Sequence, residues 1–230
     1  MKLSPNEKIA GVLAPLFALR TEDDLGIGDV EALRQFIEWA RALGFRLIQL
    51  LPINETGGDN SAYNAISSRA IDPTTLHLAP GSPEDLSPEI FDEVTAGVDL
   101  AALRRGGVHY DIVKPLKKKL LERAFAEFSK RAPNESFTKF CADERAWLDD
   151  YTLFRVLMEL HGEREMWDEW PQDNIVAARS WLDSSGETER APIDDRPPFC
   201  RSVQCPAHGP SRDVEVSPQG PGVAPPGARP

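Results

Sequence analysis

The sequence predicts an α/β fold in its first part and a mostly helical region after it. Three observations carry this: an amphipathic helical repeat closed by a glycine, an apolar run of strand length directly behind it, and a long polar loop after that run. Ile9, Val12, Leu13, Leu16 and Phe17 form an apolar stretch with Pro15 inside it, which favours an extended segment over a helix. After Gly26-Ile27-Gly28, Asp29 is placed to cap a helix on which Val30, Leu33, Phe36, Ile37, Ala40 and Leu43 recur at helical spacing, with Gly44 as its stop. Residues 45–52 are nearly all apolar and end in Pro52, as in a buried parallel strand. Residues 52–73 then turn to Asn, Gly, Ser, Thr and Asp. A loop at the carboxyl end of a parallel strand is where α/β proteins place binding groups.

A second region, 81–186, reads as helical. Leu116, Leu120, Ala124 and Phe128 give one stripe, and Phe140, Trp147, Tyr151, Phe154, Leu157, Met158 and His161 give another on a longer helix ending at Gly162. Lys117-Lys118-Lys119 reads as one wetted face of a helix. His109 and His161 read as packing or capping groups, and Trp167, Trp170 and Trp181 as core of the helical region. From Ala191 onward fall half of the 20 prolines and few aliphatic residues. The tail at 187–230 is therefore expected to be disordered.

The 230 residues carry 37 acidic against 26 basic side chains, a formal net charge of −11. Such a surface repels phosphate backbones and anionic membranes, so neither nucleic acid nor a membrane is an expected partner. No segment is long and apolar enough to span a bilayer, the first residues lack a signal-peptide apolar stretch, and three cysteines make no disulfide framework. These features together predict a cytoplasmic protein. Cys200, Cys205 and His208 lack a fourth ligand, and no metal or cofactor is expected.

The segment 57–68 offers hydroxyls, amides and the ring of Tyr63. That is the chemistry of sugar recognition, since rings stack on the C–H face of a pyranose while short polar groups take its hydroxyls. A polar turn with one packed tyrosine has the same composition. The acids Glu55 and Asp72 near this loop read as loop hydrogen-bonders, because nothing in the sequence pairs them.

Beyond the residues themselves, Asp24-Leu25-Gly26-Ile27-Gly28-Asp29, Ile48-Gln49-Leu50-Leu51-Pro52-Ile53-Asn54, Asp59-Asn60-Ser61-Ala62-Tyr63, Val108-His109-Tyr110-Asp111, Trp147-Leu148-Asp149-Asp150-Tyr151 and Trp167-Asp168-Glu169-Trp170-Pro171 follow in register. Over roughly 9–185 the chain resembles the 4-α-glucanotransferases of the amylomaltase and disproportionating-enzyme family (glycoside hydrolase family 77). The resemblance implies the N-terminal part of a (β/α)8 TIM barrel, incomplete here, with barrel and strand-end loop in 1–80 and an inserted helical subdomain in 81–186. It makes 46–51 the first barrel strand. It implies substrate-binding roles for Ser61 and Tyr63, with Ala62 standing where the family usually has proline. The implied reaction is a retaining, cofactor-free transfer of α-1,4-glucan segments between maltodextrins, with two carboxylates about 5 Å apart.

No catalytic residue is named, because the family's reactive carboxylates lie on later strands. The chain is expected to stop before them, with a tail after Arg190 of out-of-frame or truncated character. Alone, such a partial barrel would be inactive and prone to aggregate. The alternatives are an α-glucan hydrolase or a non-catalytic glucan-binding protein.

Overall fold

The computed structural model describes residues 8–131, 134–163 and 170. Trp167, Trp181, Cys200, Cys205, His208 and the tail from 187 lie outside them. The described part begins with a βαβ unit: strand β1 (Gly11–Ala14), helix α1 (Val30–Ala42) and strand β2 (Leu47–Leu50), with β1 and β2 parallel and Gly11 opposite Leu47. The strand expected within 46–51 is present, but it is not the first, because β1 precedes and pairs with it.

Helix α1 follows its local signals. The Asp29 carboxylate accepts from the amides of Glu31 and Ala32, both at 3.0 Å, two of the donors a helix start leaves orphaned. At the other end Gly44 has φ +84°, the left-handed conformation in which glycine alone is unstrained. Its amide bonds Arg41 and the Phe45 amide bonds Ala40, both at 3.0 Å, closing the last turn. Gly28 is required for a different reason. A β-carbon there would stand 2.1 Å from the Leu16 carbonyl oxygen and 2.4 Å from that of Leu19.

The helical region comprises α2 (Pro88–Thr95), the single turn α3 (Leu100–Leu103), α4 (Tyr110–Phe128), α5 (Glu135–Asp143) and α6 (Arg145–Leu160). One core joins it to the first part: Leu25 and Leu78 pack with Leu86, Leu116, Leu120 and Ala124. A second cluster sets Ala70 against Leu148 and Tyr151 of α6, and a third holds Ile66 beside Leu157, Met158 and Trp170. His161 stacks on Trp170 with ring centroids 5.5 Å apart, which is the packing role expected of it.

Three further expectations need correction. β2 is parallel but not buried: it alternates exposed and half-buried, with Leu47 42% exposed, because the described sheet has only two strands and one of its faces is uncovered. The long helix anticipated through 140–161 is two helices, broken at Glu144, where the backbone leaves helical geometry (φ −98°, ψ 6°). Finally, the lysine run is not one wetted face. Lys117 is 1% exposed, and its ammonium donates to the carbonyls of Thr74 and Leu76, both at 2.7 Å. Lys118 does reach the surface, where it pairs with Glu159.

Two consequences can be measured. Lys117→Ala removes the donor of two buried carbonyls and leaves a cavity, so unfolding in urea is expected to show a loss of about 3 kcal/mol, whereas Lys118→Ala changes little. His77 Nδ1 lies 2.8 Å from Asp29 Oδ2. That hydrogen bond raises the His77 pKa above its ordinary 6.5 against the opposing effect of burial. A raised folded-state pKa means that this contribution to stability is complete below pH 6.5 and is lost as pH rises through the folded-state value. Unfolding midpoints compared across that window should lose this slope in His77→Gln.

Candidate substrate-binding site

The site is built on the segment that leaves the carboxyl end of β2. Residues 52–73 go out and return as a narrow excursion whose two arms pair through the antiparallel bridges Asn54↔Ile71 and Thr56↔Ala65. Backbone bonds close its neck: Asp72 to Ile53, Glu55 to Ala70, and Ile66 to Glu55, at 3.0, 3.0 and 2.9 Å. Asp72 ties the arms further. One carboxylate oxygen accepts from the Thr56 amide (3.0 Å) and hydroxyl (2.8 Å), and the other from the Thr74 amide (2.8 Å) and hydroxyl (2.6 Å). Its side chain also caps the short 3-10 turn Pro73–Thr75.

The tip is ordered by short polar side chains acting on their own backbone, the behaviour that makes Asp, Asn and Ser turn formers. Asp59 accepts from the Ser61 amide and from the Asn64 side-chain amide, both at 3.0 Å, and these bonds hold its carboxyl below the usual range. The Asn64 amide reaches the Ser61 carbonyl at 3.0 Å, a β-turn over 61–64 with Ala62 as its second residue. The Ser61 hydroxyl oxygen accepts from the Tyr63 amide at 3.3 Å, which leaves its O–H able to donate elsewhere. Lys114 of α4 braces the base of the tip through the Gly57 carbonyl at 3.0 Å. With the turn so fixed, the Tyr63 ring stands 78% exposed.

Beside the tip a shallow, open hollow lies between the loop and the first part of the chain. Its lining includes Ile53, Asn54, Thr56, Asn60 and Ala62 of the loop together with Leu16, Phe17 and Tyr110 from elsewhere in the chain. Of the tip residues singled out from sequence, Ala62 faces this hollow. Ser61 and Tyr63 flank Ala62 in the chain but are not among the lining residues. Tyr110, at the start of α4, sits in a segment the sequence marks only as a landmark, and nothing local announces that it reaches this space. Its phenol is pushed up by burial.

The two acids near the loop are hydrogen-bonders, as the sequence suggests. Both are 6% exposed. Glu55 receives the Tyr151 hydroxyl and lies 3.1 Å from Arg155 Nε. Burial raises its carboxyl pKa, opposed by Arg155 and Tyr151. With these partners occupying both carboxylates, what the described arrangement offers is a hydroxyl, amides and an exposed ring beside a mainly apolar hollow. This chemistry holds a ligand. Among the described residues no group of His, Cys, Asp and Glu side chains is suited to a metal ion, and no helix is long and apolar enough to cross a membrane.

Comparison with known proteins gives these features a context. The chain is similar in fold to amylomaltase from Streptococcus agalactiae, solved in complex with acarbose, with a TM-score of 0.58 at 20% identity over 87% of this chain and 39% of that one. That likeness assigns the βαβ unit to a TIM-barrel-type fold. In sequence it is 35% identical over 165 residues to a 4-alpha-glucanotransferase of Chlamydia pneumoniae, covering 70% of this chain and 31% of that protein. It is 32% identical over 170 residues to one of Aquifex aeolicus, covering 72% and 32% respectively. The chain thus spans about a third of the length of these relatives. The family profile described as 4-alpha-glucanotransferase matches residues 14–206, and the chain belongs to that family.

Proposed function

We propose that the tip at 61–63 and the hollow beside it form one wall of a cleft for α-1,4-glucan, serving a 4-α-glucanotransferase that moves glucan segments between maltodextrins with retention of configuration. The observation that carries this reading is the Tyr63 ring, held 78% exposed by a turn whose polar groups bond one another, at the carboxyl end of a parallel strand. An exposed aromatic ring costs hydrophobic free energy, and an ordered one beside hydroxyls and amides suits a pyranose face. Ser61, with its hydroxyl proton available, is the natural partner for a sugar hydroxyl.

Membership of the family supports the transfer reaction. A retaining mechanism needs a nucleophile and an acid/base about 5 Å apart. Glu55 and Asp72 have structural duties, so the reacting pair is assigned to parts of the family fold other than those described here, and this chain alone is expected to bind glucan without turning it over. In this reading 1–80 forms the first part of the catalytic barrel and 81–186 an inserted helical subdomain that buttresses it, and no cofactor takes part.

Calorimetry with maltoheptaose tests the wall directly. Tyr63→Ala should weaken binding about tenfold, the order expected for one aromatic contact of ~1 kcal/mol with its buried area. No binding by the unaltered chain would sink the reading. Ala62→Pro places proline at the second position of the 61–64 turn, where its fixed φ is favourable. It should stabilise the loop by about 0.4–1 kcal/mol and tighten binding slightly. Incubation with maltotriose should yield no longer oligosaccharides from this chain by itself.

A further inference from the structure

Outside the groups assigned to glucan contact, one buried titratable cluster stands between the loop and the helical region. Glu55 lies in the outgoing arm and is 6% exposed. Both its backbone groups close the neck: the amide donates to Ala70 and the carbonyl accepts from Ile66. Its side chain turns the other way, to α6. There the Tyr151 hydroxyl donates to Oε2, and Arg155 Nε stands 3.1 Å from Oε1. Tyr151, 8% exposed, also packs with Ala70 of the returning arm. One residue therefore joins both arms of the loop to a helix 96 positions away.

A carboxylate is rarely buried in a loop neck without return, because desolvation opposes it unless charge and hydrogen bonds offset the loss. The groups that face Glu55 are Tyr151 and Arg155 from α6, Asp72 from the returning arm and Glu163 beyond α6. Arg155 is shared, since its Nη1 lies 3.2 Å from Glu163, but Glu163 is half exposed and that contact is screened. The ion pair of Arg69 with Glu144 on the surface is weaker still for the same reason. At the base of the loop, Asp72 ties Thr56 to Thr74 and faces Lys117 of α4 rather than α6. The Glu55 cluster is thus a buried polar tie from the loop to α6.

We propose that Glu55 is a positioning residue: its side chain, gripped by Tyr151 and Arg155, locks the neck of the loop onto α6 and so fixes where Ser61 and Tyr63 meet the glucan. This rests on the glucan reading of the tip given above. Under it, α6 acts on substrate affinity without touching substrate, and changes at Tyr151 or Arg155 act through the loop.

Hydrogen exchange of the amides at 57–64, together with maltoheptaose affinity, tests this on the full chain. Glu55→Ala should speed exchange at the tip about tenfold, the loss expected for a charge-assisted hydrogen bond, and weaken affinity comparably. Exchange in α4 should stay unchanged. Glu55→Gln keeps an acceptor for Tyr151 and should recover part of both. Glu55→Ala and Tyr151→Phe together should cost less than the sum of the two, because they break one contact. Unchanged exchange at the tip, or an equal rise in α4 from general loosening, would overturn the lock. Faster exchange with affinity intact would overturn its role toward the glucan. If the unaltered chain binds no maltoheptaose, the glucan reading falls, while exchange at 57–64 still decides whether Glu55 holds the loop.

Discussion

The arrangement of the whole described region depends on one buried cation. The Lys117 ammonium is withdrawn from water by the packing of α4, and burial lowers its pKa to about 8 despite the pull of Asp29, Asp24 and Asp72. What it gains is contact with two carbonyls, those of Thr74 and Leu76, at the end of the returning arm. There the chain is neither strand nor α-helix, so no regular ladder would satisfy them. An alkyl side chain would fill the space and leave both oxygens unpaired. A lysine fills it with its stem and donates from its tip. The three carboxylates around it come from the segment before α1, the cap of α1 and the loop, so a single charge draws three parts of the chain toward α4.

Polar clamps of this kind do work that the sheet does not. Two strands of four residues make few contacts, and a sheet this small has little independent stability. Asp24, 1% exposed, instead organises the turn before α1 by accepting from Arg20, from the Thr21 amide and from the Gly26 amide. Two guanidinium groups then cross to residues some eighty positions away: Arg20 to the Leu103 carbonyl at 2.9 Å and Arg104 to the Asp24 carbonyl at 2.8 Å. Charge-assisted bonds to backbone are strong and directional. They hold the loop-rich half of the molecule in a fixed relation to the helices that shoulder it.

What could be read from the sequence follows from how local each signal is. The cap at Asp29, the stop at Gly44 and the parallel strand depend on neighbours within a few residues, and all are found. The turn-forming polar groups at 59–64 are equally local, and they bond one another as their types suggest. The Lys117 site was legible in principle, because Val113, Lys117, Leu120, Leu121 and Ala124 share one face at helical spacing, and a lysine within an apolar stripe is a different object from a lysine run. The break at Glu144 carries no glycine or proline to announce it. The bond from Tyr151 to Glu55 joins residues 96 positions apart, and neither has a local pattern that names the other. Tertiary polar ties are the least visible of all features to a reading by period and composition.

The exposed faces of the βαβ unit carry the same lesson from the opposite side. On α1, Ala32 and Ala40 are buried, while Ile37 is 45%, Trp39 49% and Leu43 59% exposed, so the apolar face extends beyond what the strands cover on either flank. Across the sheet, Leu13 is 56% and Leu47 42% exposed. An apolar run such as 45–52 is the pattern of a strand covered on both sides, and a helix apolar over half its circumference is the pattern of one with neighbours on both sides. These residues specify a more enclosed setting than two strands provide. The fold neighbour, of which this chain matches 39%, belongs to an architecture in which parallel strands and their helices surround one another. The local sequence of β2 and α1 is thus physically consistent with a barrel-type architecture.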